Sequence, residues 1–122
     1  MNAALVFLGA TFGAPLRYLL DRYLQRRHPG EFPWGTFVVN ATGCLVLGAL
    51  AGSAAQFPGW IFTLGGAGFC GAFTTFSTFG YETVRLMERD LLGLALVNIA
   101  GSVTVGLAGC TTGFWLARLA VG

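Results

Sequence analysis

Two stretches without a single charged residue, Phe32 to Tyr81 and Leu91 to Ala117, constrain this chain more than anything else in it. A membrane span needs about 20 mostly apolar residues, so each stretch has room for one or two spans. Only 10% of the chain is charged, against roughly 25% in ordinary soluble domains. That leaves too little polar side chain to clothe a soluble core. The charges are also clustered, in Asp21, Arg22, Arg26, Arg27 and Glu31, and again in Glu82, Arg85, Glu88, Arg89 and Asp90. The sequence is that of an integral membrane protein. A net charge of +2 with scattered arginines and no lysine argues against nucleic acid as a partner.

Four apolar segments follow, from about Ala4 to Tyr23, Thr36 to Ala55, Trp60 to Arg85 and Leu91 to Leu119. The expected fold is all-α, a bundle of four transmembrane helices forming one domain over residues 1–122. The short connections make neighbouring helices antiparallel. Met1 to Thr11 lacks a basic leader and a credible cleavage site, and is expected to remain as the start of the first helix. Trp34, Trp60 and Trp115 fall near segment ends, as interfacial aromatic anchors do. Arg22, Arg26, Arg27, Arg85 and Arg89 share one side and Arg118 the other, which places both termini outside the cytoplasm. Gly9 and Gly13, Gly48 and Gly52, and Gly109 and Gly113 are small-residue pairs four apart that let helices approach closely. So much small-residue surface on a thin bundle also points to oligomerisation. The three cysteines, Cys44, Cys70 and Cys110, stand apart in apolar runs and match neither a disulfide framework nor a metal-ligand spacing.

Polar residues at membrane depth are the candidates for function. Arg17 lies in the first segment with Asp21 one turn on, the spacing of a salt bridge. Asn40 offers either interhelical hydrogen bonds or a donor facing a polar pathway. Asn98 and Ser102 share a face of the fourth segment, which also carries Thr104, Thr111 and Thr112. The densest cluster is "GAFTTFSTFG", Gly71 to Gly80, where four hydroxyls and three phenyls crowd together. If helical, it sets Thr74, Ser77 and Thr78 on one stripe and Phe76 and Phe79 on another. Glycines at 65, 66, 68 and 71 make an unbroken third helix doubtful, so a break is expected there. Carbonyls freed by a break must find partners, and could ligate a small hard cation. Hydroxyls, amides and the positive edges of phenyl rings could instead accompany a small anion without trapping it. A packed polar core fits the same residues.

"GATFGAPLRY", "GTFVVNATG" and "GFCGAFTTFSTFGYET" closely resemble, in order and spacing, the signatures of the Fluc (CrcB) fluoride channel family. The resemblance covers nearly the whole chain. It implies an antiparallel, dual-topology homodimer in the inner (plasma) membrane that exports fluoride passively and relieves fluoride toxicity. It implies a pore lined by Phe76 and Phe79 edge-on, by Asn40, and by Ser77 and Thr78, with Ser102 on the same polar face. Arg17 and Glu82 match residues near a pore mouth. A structural sodium ion at the dimer interface would be held by the backbone carbonyls of Gly71 and Thr74. The chain departs from the family pattern at Gly106 and Cys110, where relatives can carry hydroxyls of the polar track. Either the track is thinner here or Thr104 and Thr111 substitute. Asn98 stands where relatives can have tyrosine, and Gly80 where a serine is frequent.

The rival function is a small multidrug-type proton-coupled antiporter, which needs a buried ionisable carboxylate. The first segment has no glutamate, and Glu82 lies at a segment end. An enzyme is not expected: the one histidine, His28, sits in a polar loop, with no nucleophile–base or metal-ligand set.

Overall fold

The computed structural model describes residues 2–121; Met1 and Gly122, the outermost residues of the expected first helix and of the expected domain, lie outside it. All of its regular structure is helical. Three helices are long and apolar enough to cross a membrane: α1 (Ala3–Arg27), α2 (Trp34–Gly52) and, last in the chain, α5 (Leu92–Val121). The segment expected from Trp60 to Arg85 is assembled from shorter pieces. Its first part, α3 (residues 59–73), runs as α-helix over Gly59–Phe62, as wider π-turns over Thr63–Cys70, and as α-helix again over Gly71–Phe73. Thr74 and Thr75 are extended, and α4 (Phe76–Glu88) follows.

Local chemistry explains most of these boundaries. Asn2 caps α1, its side-chain oxygen accepting from the Ala4 N–H at 2.9 Å. Pro33 precedes α2, and a short 3₁₀ turn, Ala54–Gln56, separates α2 from α3. Thr75 caps α4 by accepting from the Thr78 N–H at 3.2 Å. Asp90, with φ near 60°, makes the left-handed turn that reverses the chain into α5, while the Leu91 N–H returns to the Leu86 carbonyl at 2.8 Å. An ion pair from Arg89 to Glu31, 2.6 Å long, ties this turn to the α1–α2 loop. The two arginine-rich clusters therefore occupy one end of the bundle.

Glycines set the packing. The backbones of α2 and α5 touch along a reciprocal seam. Gly48 and Gly52 lie against the carbonyls of Cys110 and Phe114, while Gly109 and Gly113 lie against those of Ala41 and Leu45. Gly9 and Gly13 of α1 receive the Leu64 and Phe69 carbonyls of α3 in the same way, and Gly68 returns the contact to Val6. At such approach the glycine Cα–H groups point at carbonyl oxygens, contacts worth about 0.5–1 kcal/mol each. All three small-residue pairs are thus occupied inside one chain. They are not the free faces that oligomerisation would need, which corrects that part of the sequence argument. Exposed apolar surface lies elsewhere, on Phe7, Phe12, Phe76, Leu107 and Leu119 among others. The chain exposes 7435 Å², more than the ~6,300 Å² of a soluble monomer of this mass, as suits a thin bundle facing lipid or partner.

Candidate functional site

The extended pair Thr74–Thr75 is held by groups reaching it from two sides. Thr74 stays attached to α3, its N–H and its hydroxyl both donating to the Cys70 carbonyl at 2.9 and 2.8 Å. Thr75 is clamped from α2 by one side chain. The Asn40 amide nitrogen donates to the Thr75 carbonyl at 2.9 Å, and its oxygen accepts from the Thr75 N–H at 2.8 Å. One amide thereby satisfies both polar groups of a buried, non-helical residue, whose exposure to lipid would cost several kcal/mol. The Thr75 hydroxyl turns forward to Thr78 Oγ1 at 3.1 Å and to Ser77 Oγ at 3.5 Å. Nothing in the chain donates to the carbonyls of Gly71 and Thr74 among the described residues.

A cavity of about 310 Å³ opens on one side of this clamp. Asn40, Thr74, Thr75, Phe76, Phe79 and Ser102 are among the residues in its wall, so five of the residues singled out from sequence meet there. The Phe76 and Phe79 rings are tilted at 42° with centroids 5.9 Å apart, and Phe76 is 83% exposed on the isolated chain. On the other side of Thr75 lies a smaller hollow of about 150 Å³, walled by Arg17, Asp21, Thr36 and Thr78 with Tyr18 and Val39. Among the described residues only Thr75 borders both. A third hollow at the arginine-rich end is lined by Gln25, Glu31, Glu82 and Arg85. Glu82 lies beside Thr36, and both the Thr36 hydroxyl and one Glu82 oxygen are buried without a hydrogen-bond partner.

Behind the cavity a buried polar chain joins α5 to α4. Ser102 donates to the Asn98 oxygen at 3.4 Å, Asn98 to the Thr83 hydroxyl at 2.9 Å, and Thr83 to the Phe79 carbonyl at 2.8 Å. Asn98 is 1% exposed, so it braces α4 instead of facing an opening.

Several expectations need correcting. Thr74 does not share a helical stripe with Ser77 and Thr78, because α4 begins only at Phe76. Ser77 is exposed and lines neither cavity. Arg17 and Asp21 border the same hollow but form no ion pair; among the described residues the one ion pair is Arg89–Glu31. Thr104 faces a separate groove with Ala41 and Thr42 and does not replace a hydroxyl in the cavity wall. Gly106 lies against Cys44. Cys44 and Cys70, far apart in sequence, share the cavity wall. Sequence reasoning counted Thr75 among the four hydroxyls but gave no role of its own to this residue, which lies at the centre of the site. Its position as the hydroxyl before the amphipathic run "FSTFGYETV" is a helix-cap signal that could have marked it.

A small all-helical membrane protein with polar residues gathered around a non-helical turn is the build of a transport protein. Comparison with known sequences then places it. Residues 4–114 match the model of the family described as CrcB-like protein, Camphor Resistance (CrcB), and the chain belongs to that family. Its relatives include the fluoride-specific ion channel FluC 1 of Streptomyces avermitilis, 51% identical over 120 residues with 97% of each chain covered. The protein of the same name from Frankia casuarinae is 50% identical, again over 97% of each chain. That of Thermobifida fusca is 45% identical over 93% of this chain and 92% of its own.

Proposed function

We propose that this protein is a fluoride-selective channel that lets fluoride leave the cell passively and so relieves its toxicity. It is not an enzyme. One observation carries this: half-identity across essentially the full length to proteins named fluoride-specific ion channels. The proton-coupled antiporter finds no support among these relatives.

The site fits that function physically. Fluoride is small and tightly hydrated, so a pathway must offer donors in place of water without holding the ion. Asn40, Thr75, Thr78 and Ser102 supply neutral donors, and ring edges of Phe76 and Phe79 add weak positive potential. Ser77 extends this donor set on the exposed side of α4. Arg17, and Glu82 further toward the arginine-rich end, set the potential at the approach to it. The ion would pass from the Arg17 hollow, by Thr75 and Thr78, to the Phe76–Phe79 cavity. Residues 59–88 are then a third span broken at Thr74–Thr75, and residues 1–122 one channel domain in the plasma membrane.

The functional unit in this proposal is an antiparallel, dual-topology homodimer. A phenyl as exposed as Phe76, beside hydroxyls in the ion path, calls for a second protein surface to complete the wall. The family also implies a structural sodium ion. The unpartnered carbonyls of Gly71 and Thr74 suit it, since a hard cation prefers oxygen ligands. Sodium would contribute only fixed positive charge between the two chains.

The test is ion efflux from liposomes containing the purified protein, loaded with potassium fluoride or chloride, with valinomycin carrying countercharge. Rapid fluoride loss with chloride retained is expected. Folded protein that releases neither ion, or both equally, would overturn the proposal.

A further inference from the structure

The outer face of α1 ends in a basic cluster that the proposed pathway does not use. Arg22, Arg26 and Arg27 are exposed in its last turns, with exposed Tyr18 and Tyr23 each one turn before an arginine. Arg22 Nη1 donates to the Tyr18 hydroxyl at 2.7 Å, and its guanidinium lies 5.5 Å from the centre of that ring. The Arg27 guanidinium lies 5.2 Å from the centre of the Tyr23 ring. Both head groups are thus folded back toward the bilayer, to the depth of interfacial aromatics, instead of reaching into water. None of the three arginines has a carboxylate partner: among the described residues the one ion pair is Arg89–Glu31. The other acids of this end turn elsewhere. The Asp21 carboxyl lies against Gly35 of α2, Glu82 lines the hollow it shares with Gln25 and Arg85, and Glu88 and Asp90 lie at the turn into α5. Toward the middle of α1 the same face becomes apolar, with Leu19, Leu16, Phe12 and Leu8 exposed. Phe12 and Leu8 also wall a hollow of about 280 Å³ between α1 and α3, together with Leu64 and Phe69 and without a polar side chain. The ten residues from Arg22 back to Phe12 make about 15 Å of helix. That is the depth of one leaflet, half of a hydrocarbon core of roughly 30 Å.

We infer that Arg22, Arg26 and Arg27 form a binding site for an anionic phospholipid. Its phosphodiester lies among the guanidiniums, and one acyl chain follows Leu19 and Leu16 to the hollow beside Phe12. Guanidinium forks match phosphate oxygens in geometry as well as charge. A zwitterionic head group would bring its own cation into a positive cluster that no carboxylate neutralises, so charge selects the anionic lipid. A free phosphate compound meets the same arginines but gains nothing from the apolar face. The occupant is therefore a lipid, held by both ends of one site.

The experiment adds phosphatidylglycerol or phosphatidylcholine, with the same acyl chains, to delipidated full-length protein in nonionic detergent. Native mass spectrometry then counts the lipid retained. Phosphatidylglycerol should be retained at least tenfold better than phosphatidylcholine, and glycerol phosphate at the same concentration should not displace it. Arg26→Gln should lower its retention about fivefold, the effect of one basic residue at an anionic lipid surface. The combined Arg22→Gln, Arg26→Gln, Arg27→Gln variant should retain both lipids alike, whereas Arg118→Gln, at the other end of the bundle, should keep the parent preference. Phe12→Ala should lower retention of both lipids equally. Equal retention by the parent, a preference that survives the triple substitution, or one lost as readily in Arg118→Gln would overturn the site. Displacement by glycerol phosphate would overturn the lipid as its occupant, and unchanged retention in Phe12→Ala would overturn the acyl path. The parent measurements decide the lipid preference even if a variant fails to fold. Fluoride flux enters none of these readings, so they stand or fall apart from the channel function proposed above.

Discussion

The seam between α2 and α5 and the turn at Thr74–Thr75 solve opposite problems in the same bundle. Along the seam the side chains are removed, and backbone meets backbone through Gly48, Gly52, Gly109 and Gly113. At the turn the backbone is opened, and a side chain, Asn40, restores what the helix gave up. The seam gains its stability from close approach, which tolerates no added volume. The turn gains its stability from two directed hydrogen bonds, which tolerate no loss of a donor or acceptor. A rigid frame of the first kind can hold a polar, uncharged opening of the second kind, and that is the division of labour a channel for a small anion requires.

The largest expected effect comes from adding bulk to the seam. Gly113→Leu drives a side chain into the Leu45 carbonyl and Ala49 nitrogen, and should cost more than about 3 kcal/mol. Loss of monodisperse protein in detergent, or a collapsed unfolding midpoint, would register it. A fully stable variant would mean the two helices can separate there. Removing the clamp should come next. Asn40→Ala leaves the Thr75 N–H and carbonyl unpaired, at about 1–3 kcal/mol for each group, and fluoride efflux should fall at least tenfold in whatever folded protein remains. Unchanged stability together with unchanged efflux would show that water replaces the clamp without consequence. The smallest effect belongs to Ser102→Ala. Its hydrogen bond to Asn98 is 3.4 Å long, so stability should change by less than about 0.5 kcal/mol and efflux by a few-fold at most. A collapse of flux in that variant would move the main donor from α2 to α5.

The same contrast explains what could be read from the sequence. Uncharged length identified the membrane helices, and glycine spacing identified the seam, because both depend on residues near one another in the chain. What the glycines were for was less legible. They contact α3 from α1 and α5 from α2, so they close the single chain on itself and leave Phe76 and its neighbours exposed. In α3, Gly65, Gly66 and Gly68 lie in π-turns, while the extended residues are Thr74 and Thr75, further along. Asn40 could be read as packing glue or as a pathway donor, and its geometry joins the two: it clamps Thr75 and borders the cavity. The role of Thr75 escaped notice because its partner lies 35 residues away. Arg17 and Asp21 have the spacing of an ion pair, but sharing one face of a helix brings side chains near each other without aiming them. That Cys44 and Cys70 share the cavity wall was invisible for the same reason as Thr75, since two helices must pack before they meet.

In the proposed function fluoride crosses this bundle beside Phe76, and a single variant decides whether it does. Phe76→Ile changes a side chain that is 83% exposed on the isolated chain, so the fold should survive with a stability change near 0.5 kcal/mol or less. Fluoride efflux from liposomes should nevertheless fall at least tenfold in protein that elutes like the parent on size exclusion. Parental efflux from that folded variant would contradict the claim and place the pathway elsewhere in the bundle.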